Sequence, residues 1–146
     1  MGIFSKVWKG FKKGVKKIKD PVWPDCEIPI NELTDHGYIQ KIPEWQWQKA
    51  KRQKRDKGYM GQMSFPENMN NISRTIMAFS STASREAFIL PHKKDQYRNP
   101  TVREYATLMS FPMNYQFAGM SHSIKKKQIG NAVPPKLAKE IAIEIK

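Results

Sequence analysis

Gln128-Ile-Gly-Asn-Ala-Val-Pro-Pro135 is the stretch on which the reading of this 146-residue chain turns. Gly130 permits a close backbone approach. Pro134 and Pro135 fit the first turn of a helix, where no backbone donor is lost. Val133, Leu137, Ile141 and Ile145 are then spaced by four, and Ala138 and Ala142 extend the same face, so an amphipathic helix runs to the end of the chain. That face must be buried against something. The start of the helix presents free N–H groups, which suits a carboxylate or a phosphate.

Working back from this stretch, Thr101-Val-Arg-Glu104 fits a capping box, in which the two side chains satisfy each other's backbone donors. Val102, Tyr105, Leu108 and Met109 continue it as an apolar stripe, and Pro112 ends the helix expected over 101–111. Met113–Ser123 reads as a loop. Residues 73–90 read as extended, with Ser80-Ser-Thr-Ala-Ser84 as a turn and Arg85 to Leu90 as a second strand, which predicts a hairpin or strand pair. Residues 59–72 look irregular. Residues 44–57 predict a helix, with Pro43 at its start and Gly58 at its stop. Residues 20–43, punctuated by Pro21, Pro24, Pro29, Gly37 and Pro43, read as linker-like. Over 3–19, apolar residues from Ile3 to Ile18 recur at helical spacing opposite lysines, in the manner of an interfacial amphipathic helix that contacts an anionic membrane or packs on another chain.

The net charge is +13 with 39% hydrophobic residues, a lean core for one domain or one small domain plus an appendage. Most of the excess lies in two runs, the seven lysines of 1–20 and Lys41, Lys49, Lys51, Arg52, Lys54, Arg55 and Lys57. Interleaved with aromatics, such runs suit a polyanion or an anionic surface. On the helix of 44–57 they would contact phosphates in a nucleic-acid-binding protein, or else form a solvated basic face. The only cysteine, Cys26, lies between Asp25 and Glu27, which disfavour its thiolate, so it reads as structural or incidental. One cysteine and three scattered histidines exclude an internal disulfide and show no metal-ligand spacing, and they make a cytoplasmic setting the default. No apolar run reaches the roughly 20 residues of a membrane span.

Two segments resemble the C-terminal part of DNA (cytosine-5)-methyltransferases. Arg98-Asn-Pro-Thr-Val-Arg-Glu-Tyr-Ala-Thr-Leu-Met-Ser-Phe-Pro112 looks like the ninth motif of that family and Gln128–Pro135 like the tenth, in the family's order. Ser73-Arg-Thr-Ile and Ser84-Arg-Glu-Ala resemble the end of its target-recognition domain. The resemblance implies methyl transfer from S-adenosyl-L-methionine to C5 of a flipped-out cytosine in double-stranded DNA. It places Asn131, Ala132 and Val133 near the methionine end of the cofactor. It puts Arg74, Thr75, Arg85 and Arg103 near DNA, and it has Arg103, with Thr101 and Glu104, organise the recognition domain. It also implies an α+β fold, a small recognition part with short strands plus a terminal helix that would pack on a Rossmann-like catalytic domain. The expected divisions are a basic helix over 1–20, a linker over 21–43, a recognition-like region over 44–123, and the tenth motif with its helix over 124–146.

The family's Gly-rich cofactor loop, Pro-Cys nucleophile and Glu-Asn-Val motif have no counterpart here, and thiolate attack on cytosine needs a nucleophile with a nearby acid. The sequence therefore predicts a small subunit or C-terminal fragment of a restriction-modification or phage-type enzyme, working with a catalytic chain that carries the remaining motifs. A non-catalytic DNA-binding module or relic is the alternative, and membrane or virion association through 3–19 a third. The terminal helix should show an apolar face without its partner.

Overall fold

The computed structural model describes residues 16–29, 39–56, 61–78 and 81–145. Within them the chain is α+β: two two-stranded antiparallel sheets and four helices. Strands β1 (Lys17–Lys19) and β2 (Glu27–Pro29) pair with Ile18 opposite Ile28. Helix α1 spans Glu44–Arg55. Strands β3 (Leu90–Lys93) and β4 (Gln96–Arg98) form a hairpin whose turn carries Asp95 at φ 55°. Helices α2 (Val102–Leu108), α3 (His122–Asn131) and α4 (Pro135–Glu144) complete the chain.

Most of the amphipathic helix expected over 3–19 lies outside the described residues, but its end does not, and Lys17–Lys19 is a strand. The stretch expected as a linker from residue 20 is in part a docked hairpin. Asp20, 1% exposed, is the reason. Its Oδ1 accepts the N–H groups of Val22 (2.8 Å) and Trp23 (3.1 Å), closing the turn. Its Oδ2 accepts the N–H of Met113 at 2.7 Å, fixing the hairpin to a segment 93 residues away.

Helix α2 begins where the sequence places it. Thr101 Oγ1 accepts the Glu104 N–H at 3.1 Å, and Glu104 Oε2 accepts the Thr101 N–H at 2.8 Å. The Glu104 carboxylate also holds both Nη atoms of Arg98, at 2.6 and 2.8 Å. Burial pushes the Glu104 carboxyl up, but the bonds from Arg98 and Thr101 outweigh it, and the group ends below its ordinary range. Its stabilising effect is present above that ordinary range and is lost as pH falls through the lowered value. The helix ends in a Schellman motif: Ser110 (φ 60°) donates to Thr107 O and Phe111 to Ala106 O.

The strand pair expected over 73–90 is not formed. Residues 73–78 run without a ladder and 81–86 turn repeatedly, so the hairpin sits later, at 90–98. The two segments are joined through a side chain instead, since Arg74 Nη2 donates to Ala87 O at 3.0 Å. Residues 87–89 then alternate between two cores. Ala87 and Ile89 join Ile42 and Ala50, with Trp47, Phe65 and Tyr97 packed alongside. Phe88 packs on Val102, Tyr105, Ala106, Phe111, Phe117 and Ile129.

Helix α3 begins within the stretch expected as a loop, Met113–Ser123, and continues through the lysines to Asn131. It is capped by Ser121, whose Oγ accepts the Ile124 N–H at 3.2 Å, and anchored by fully buried Ile129. Helix α4 buries no residue, and Leu137, Ile141, Ile143 and Ile145 are about half exposed or more. Its described attachments lie near its start. Trp23 Nε1 donates to Ser110 O at 3.0 Å, the Lys136 N–H donates to Ser110 Oγ at 3.1 Å, and the ammonium groups of Lys136 and Lys139 lie 5.9 and 5.5 Å from the Trp23 ring centre. Trp23→Phe keeps one aromatic ring and removes the indole N–H with its five-membered ring, so the lost hydrogen bond alone should cost about 1 kcal/mol. It should also speed hydrogen exchange in α4 more than in α2, and equal protection in both helices would refute this coupling.

Candidate functional site

The segment carrying Asn131, Ala132 and Val133 joins α3 to α4 and is placed by Gly130. A Cβ on Gly130 would stand 2.4 Å from the Ala78 Cα and N and 2.6 Å from the Met77 carbonyl carbon. Backbone therefore lies on backbone, and only glycine allows it. This contact brings the end of α3 onto the 74–78 segment. Ala132 caps α3, donating to Ile129 O at 3.2 Å, and its methyl packs on the larger core. Asn131 is exposed and Val133 is 64% exposed. Asn131 and Val133 are thus open to solvent, while Ala132 turns to the core.

The expectation of an anion at the start of α4 does not hold. Pro134 and Pro135 have no N–H to offer, and the next N–H, of Lys136, is already given to Ser110 Oγ. The terminus lacks the fan of donors that an anion site needs.

The residues expected near DNA fall into three situations. Thr75 is exposed. Arg74 and Arg85 are half-buried, with guanidinium groups engaged inside the protein. Arg74 binds both carboxylate oxygens of Glu67 and lies 5.7 Å from the Phe88 ring centre. Arg85 donates to Gln53 O at 3.4 Å and to Gly61 O. Arg103, expected to take part in DNA recognition, is buried at 6% exposure. Its Nη atoms donate to Pro112 O (3.1 Å) and Tyr115 O (3.0 Å), so it braces the loop after α2 instead of facing a ligand.

Sequence reasoning did not single out Lys54. It lies in the basic run, yet it is fully buried and its Nζ donates to Glu67 Oε1 at 2.8 Å. Glu67 thus serves two cations, Lys54 and Arg74. Burial is the largest influence on Lys54 and lowers its pKa. Arg74 adds to that, and the Glu67 hydrogen bond opposes it.

A cavity of about 660 Å³ lies between Met77, Ala78, Ser81 and Thr82 on one side and the start of α3 on the other, and includes Phe88, Tyr105 and Lys126. Burial pushes the Tyr105 phenol up to about 12 and lowers Lys126, whose ammonium sits 5.2 Å from the Tyr105 ring centre. Asn131, Ala132 and Val133 do not line it. The described residues contain no cluster of His, Cys, Asp or Glu able to hold a metal.

The model of the C-5 cytosine-specific DNA methylase family matches residues 5–146. DNA (cytosine-5)-methyltransferase 1B of Oryza sativa subsp. japonica is 34% identical over 131 residues, covering 85% of this chain and 8% of that protein. Type II methyltransferase M.NgoPII of Neisseria gonorrhoeae is 48% identical over 54 residues, 37% of this chain and 16% of the relative. DNA (cytosine-5)-methyltransferase 1 of Mus musculus is 48% identical over 52 residues, 36% of this chain and 3% of the relative. The chain thus spans less than a fifth of the length of each. No solved structure matches it.

Proposed function

The chain belongs to the C-5 cytosine-specific DNA methylase family, and we propose that it supplies DNA recognition and one wall of the S-adenosyl-L-methionine site in methylation of cytosine C5. In this reading Asn131, Ala132 and Val133 line the cofactor, which supplies the methyl group. The nucleophilic cysteine, the general acid and the Gly-rich cofactor loop come from a catalytic part carrying the remaining motifs. That part would also cover the apolar face of α4. The chain would then be inactive alone, as a small subunit or C-terminal portion of a restriction-modification or phage-type enzyme.

The observation that carries this reading is the Gly130 contact. It supports a single body in which the cofactor wall at 131–133 and the recognition-like segment at 74–78 move together.

The test is complementation. M.NgoPII deprived of the segment that aligns with this chain is co-expressed with the full chain, and transfer of tritiated methyl groups to duplex DNA is measured. Recovery of 5-methylcytosine above either part alone is expected. No gain, with both parts soluble and co-purifying, would sink the proposal. A DNA-binding module without catalysis is the second reading, favoured by the basic α1. It predicts salt-sensitive DNA binding with no gain of methylation.

A further inference from the structure

Resting on the DNA-binding part of that reading, we propose that the outward face of α1 tracks the phosphate backbone of duplex DNA. Helix α1 has two opposed faces. Ala50 and Lys54 are fully buried, and Trp47 lies 4.9 Å from the Tyr97 ring centre, its plane tilted by 55°. Half a revolution away stand Trp45, Lys49 and Arg52, whose spacing of four and three makes one stripe along a 3.6-residue helix.

The stripe is chemically open. Trp45 is 64% exposed, and Lys49 and Arg52 are exposed. Among the described residues no carboxylate pairs with either cation. Glu44, at the helix start, accepts the Gln48 amide at 2.7 Å. The cation on the inner face, Lys54, is instead matched by Glu67. One helix thus separates an internally paired lysine from an unpaired outer pair.

A groove of about 510 Å³ runs between this face and the turn at 81–86. Lys49, Gln53, Ser81, Ser84 and Arg85 line it, together with the carboxylates of Asp56 and Glu86. The Arg85 bonds to Gln53 O and Gly61 O hold the turn against α1, so the groove is built by the fold. Hydroxyl, amide and cationic groups in a groove beside unpaired cations match phosphate oxygens, and an exposed indole offers a flat surface to deoxyribose. The unpartnered face of α4 is apolar and suits a protein surface. The two faces therefore suit different partners.

The test is fluorescence anisotropy of a labelled DNA duplex with the full chain across a salt series. Each phosphate contact contributes roughly 0.9 to the slope of log affinity against log salt. Lys49→Gln/Arg52→Gln should therefore flatten the slope by roughly 1.8, with circular dichroism and melting unchanged. Lys93→Gln/Lys94→Gln, which removes the same charge from the β3–β4 turn, should leave the slope near the wild-type value. Equal slopes for wild type and the α1 variant overturn the proposal, as does an equal flattening by the control pair, which would mean net charge alone. If the wild type fails to bind even at low salt, the DNA-binding reading itself falls and takes this inference with it.

Discussion

Gly130→Ala should lower the midpoint of urea unfolding by the equivalent of about 3 kcal/mol, the upper end of what overpacking usually costs. Helix propensity alone predicts the opposite sign. In a free helix, alanine is better than glycine by about 1 kcal/mol. The packing term must win here because the atoms a methyl group would meet are the backbone of Met77 and Ala78, at 2.4 to 2.6 Å. A side chain could rotate away, whereas backbone cannot. Relief requires α3 to lift from the 77–78 segment, and that movement unseats Ile129, which is fully buried in the larger core beside Ile76. Lys127→Ala, at an exposed position of the same helix, is the control and should be neutral. A Gly130→Ala midpoint equal to or above wild type would refute the close approach. Because Asn131–Val133 follow directly, the same variant should lose complementation of the truncated M.NgoPII at temperatures where it remains folded.

Features that depend on neighbours in sequence were legible. The capping box needs only Thr101 and Glu104, and the stripe of α4 needs only its period. Features set by distant residues were not. Helix α3 has Ile124 and Ile129 as its aliphatic residues around a lysine run, so no periodic signal marks it, and its stability comes from burying Ile129 and from the Ser121 cap. The β1–β2 hairpin is held by Asp20 on Met113, a pairing that local pattern cannot reveal. Alternation over 73–90 suggests a strand pair because it records only which side chains are apolar. Arg74 and the Gly130 contact occupy the places where a ladder would run. In the candidate site, the sequence names the arginines expected near DNA but carries no signal of their direction. Arg103 turns inward to two carbonyls, and Lys54 turns inward from a run whose other described cations are half-buried or exposed.

The inward turn of Lys54 leads to the other large expected effect. Glu67→Ala should destabilise the chain by about 3–5 kcal/mol, because it leaves two buried or half-buried cations with no counter-charge. Glu67 is 8% exposed, and its carboxylate accepts Lys54 Nζ at 2.8 Å, Arg74 Nε at 3.1 Å and a second Arg74 nitrogen. Removing the opposite partner should behave differently. In Lys54→Met the stem still packs, and Glu67 keeps Arg74, so the change should stay within about 1 kcal/mol. Unfolding in urea at pH 7 separates the two, and similar losses for both variants would show that the pair acts merely as packing.

Alkaline pH gives an independent check with a definite sign. Lys54 titrates below its ordinary 10.5 in the folded chain, chiefly through burial. Between that lowered value and 10.5 the unfolded chain keeps a proton that the folded chain has released. Stability from this group therefore rises with pH across that window. Neutral Lys54 also leaves Glu67 and Arg74 as a matched pair. The stability of wild type minus that of Lys54→Met should accordingly shift in favour of wild type as pH climbs toward 10.5. A difference that stays flat would mean that Lys54 carries no burial penalty and that the Glu67 site holds both cations at no cost.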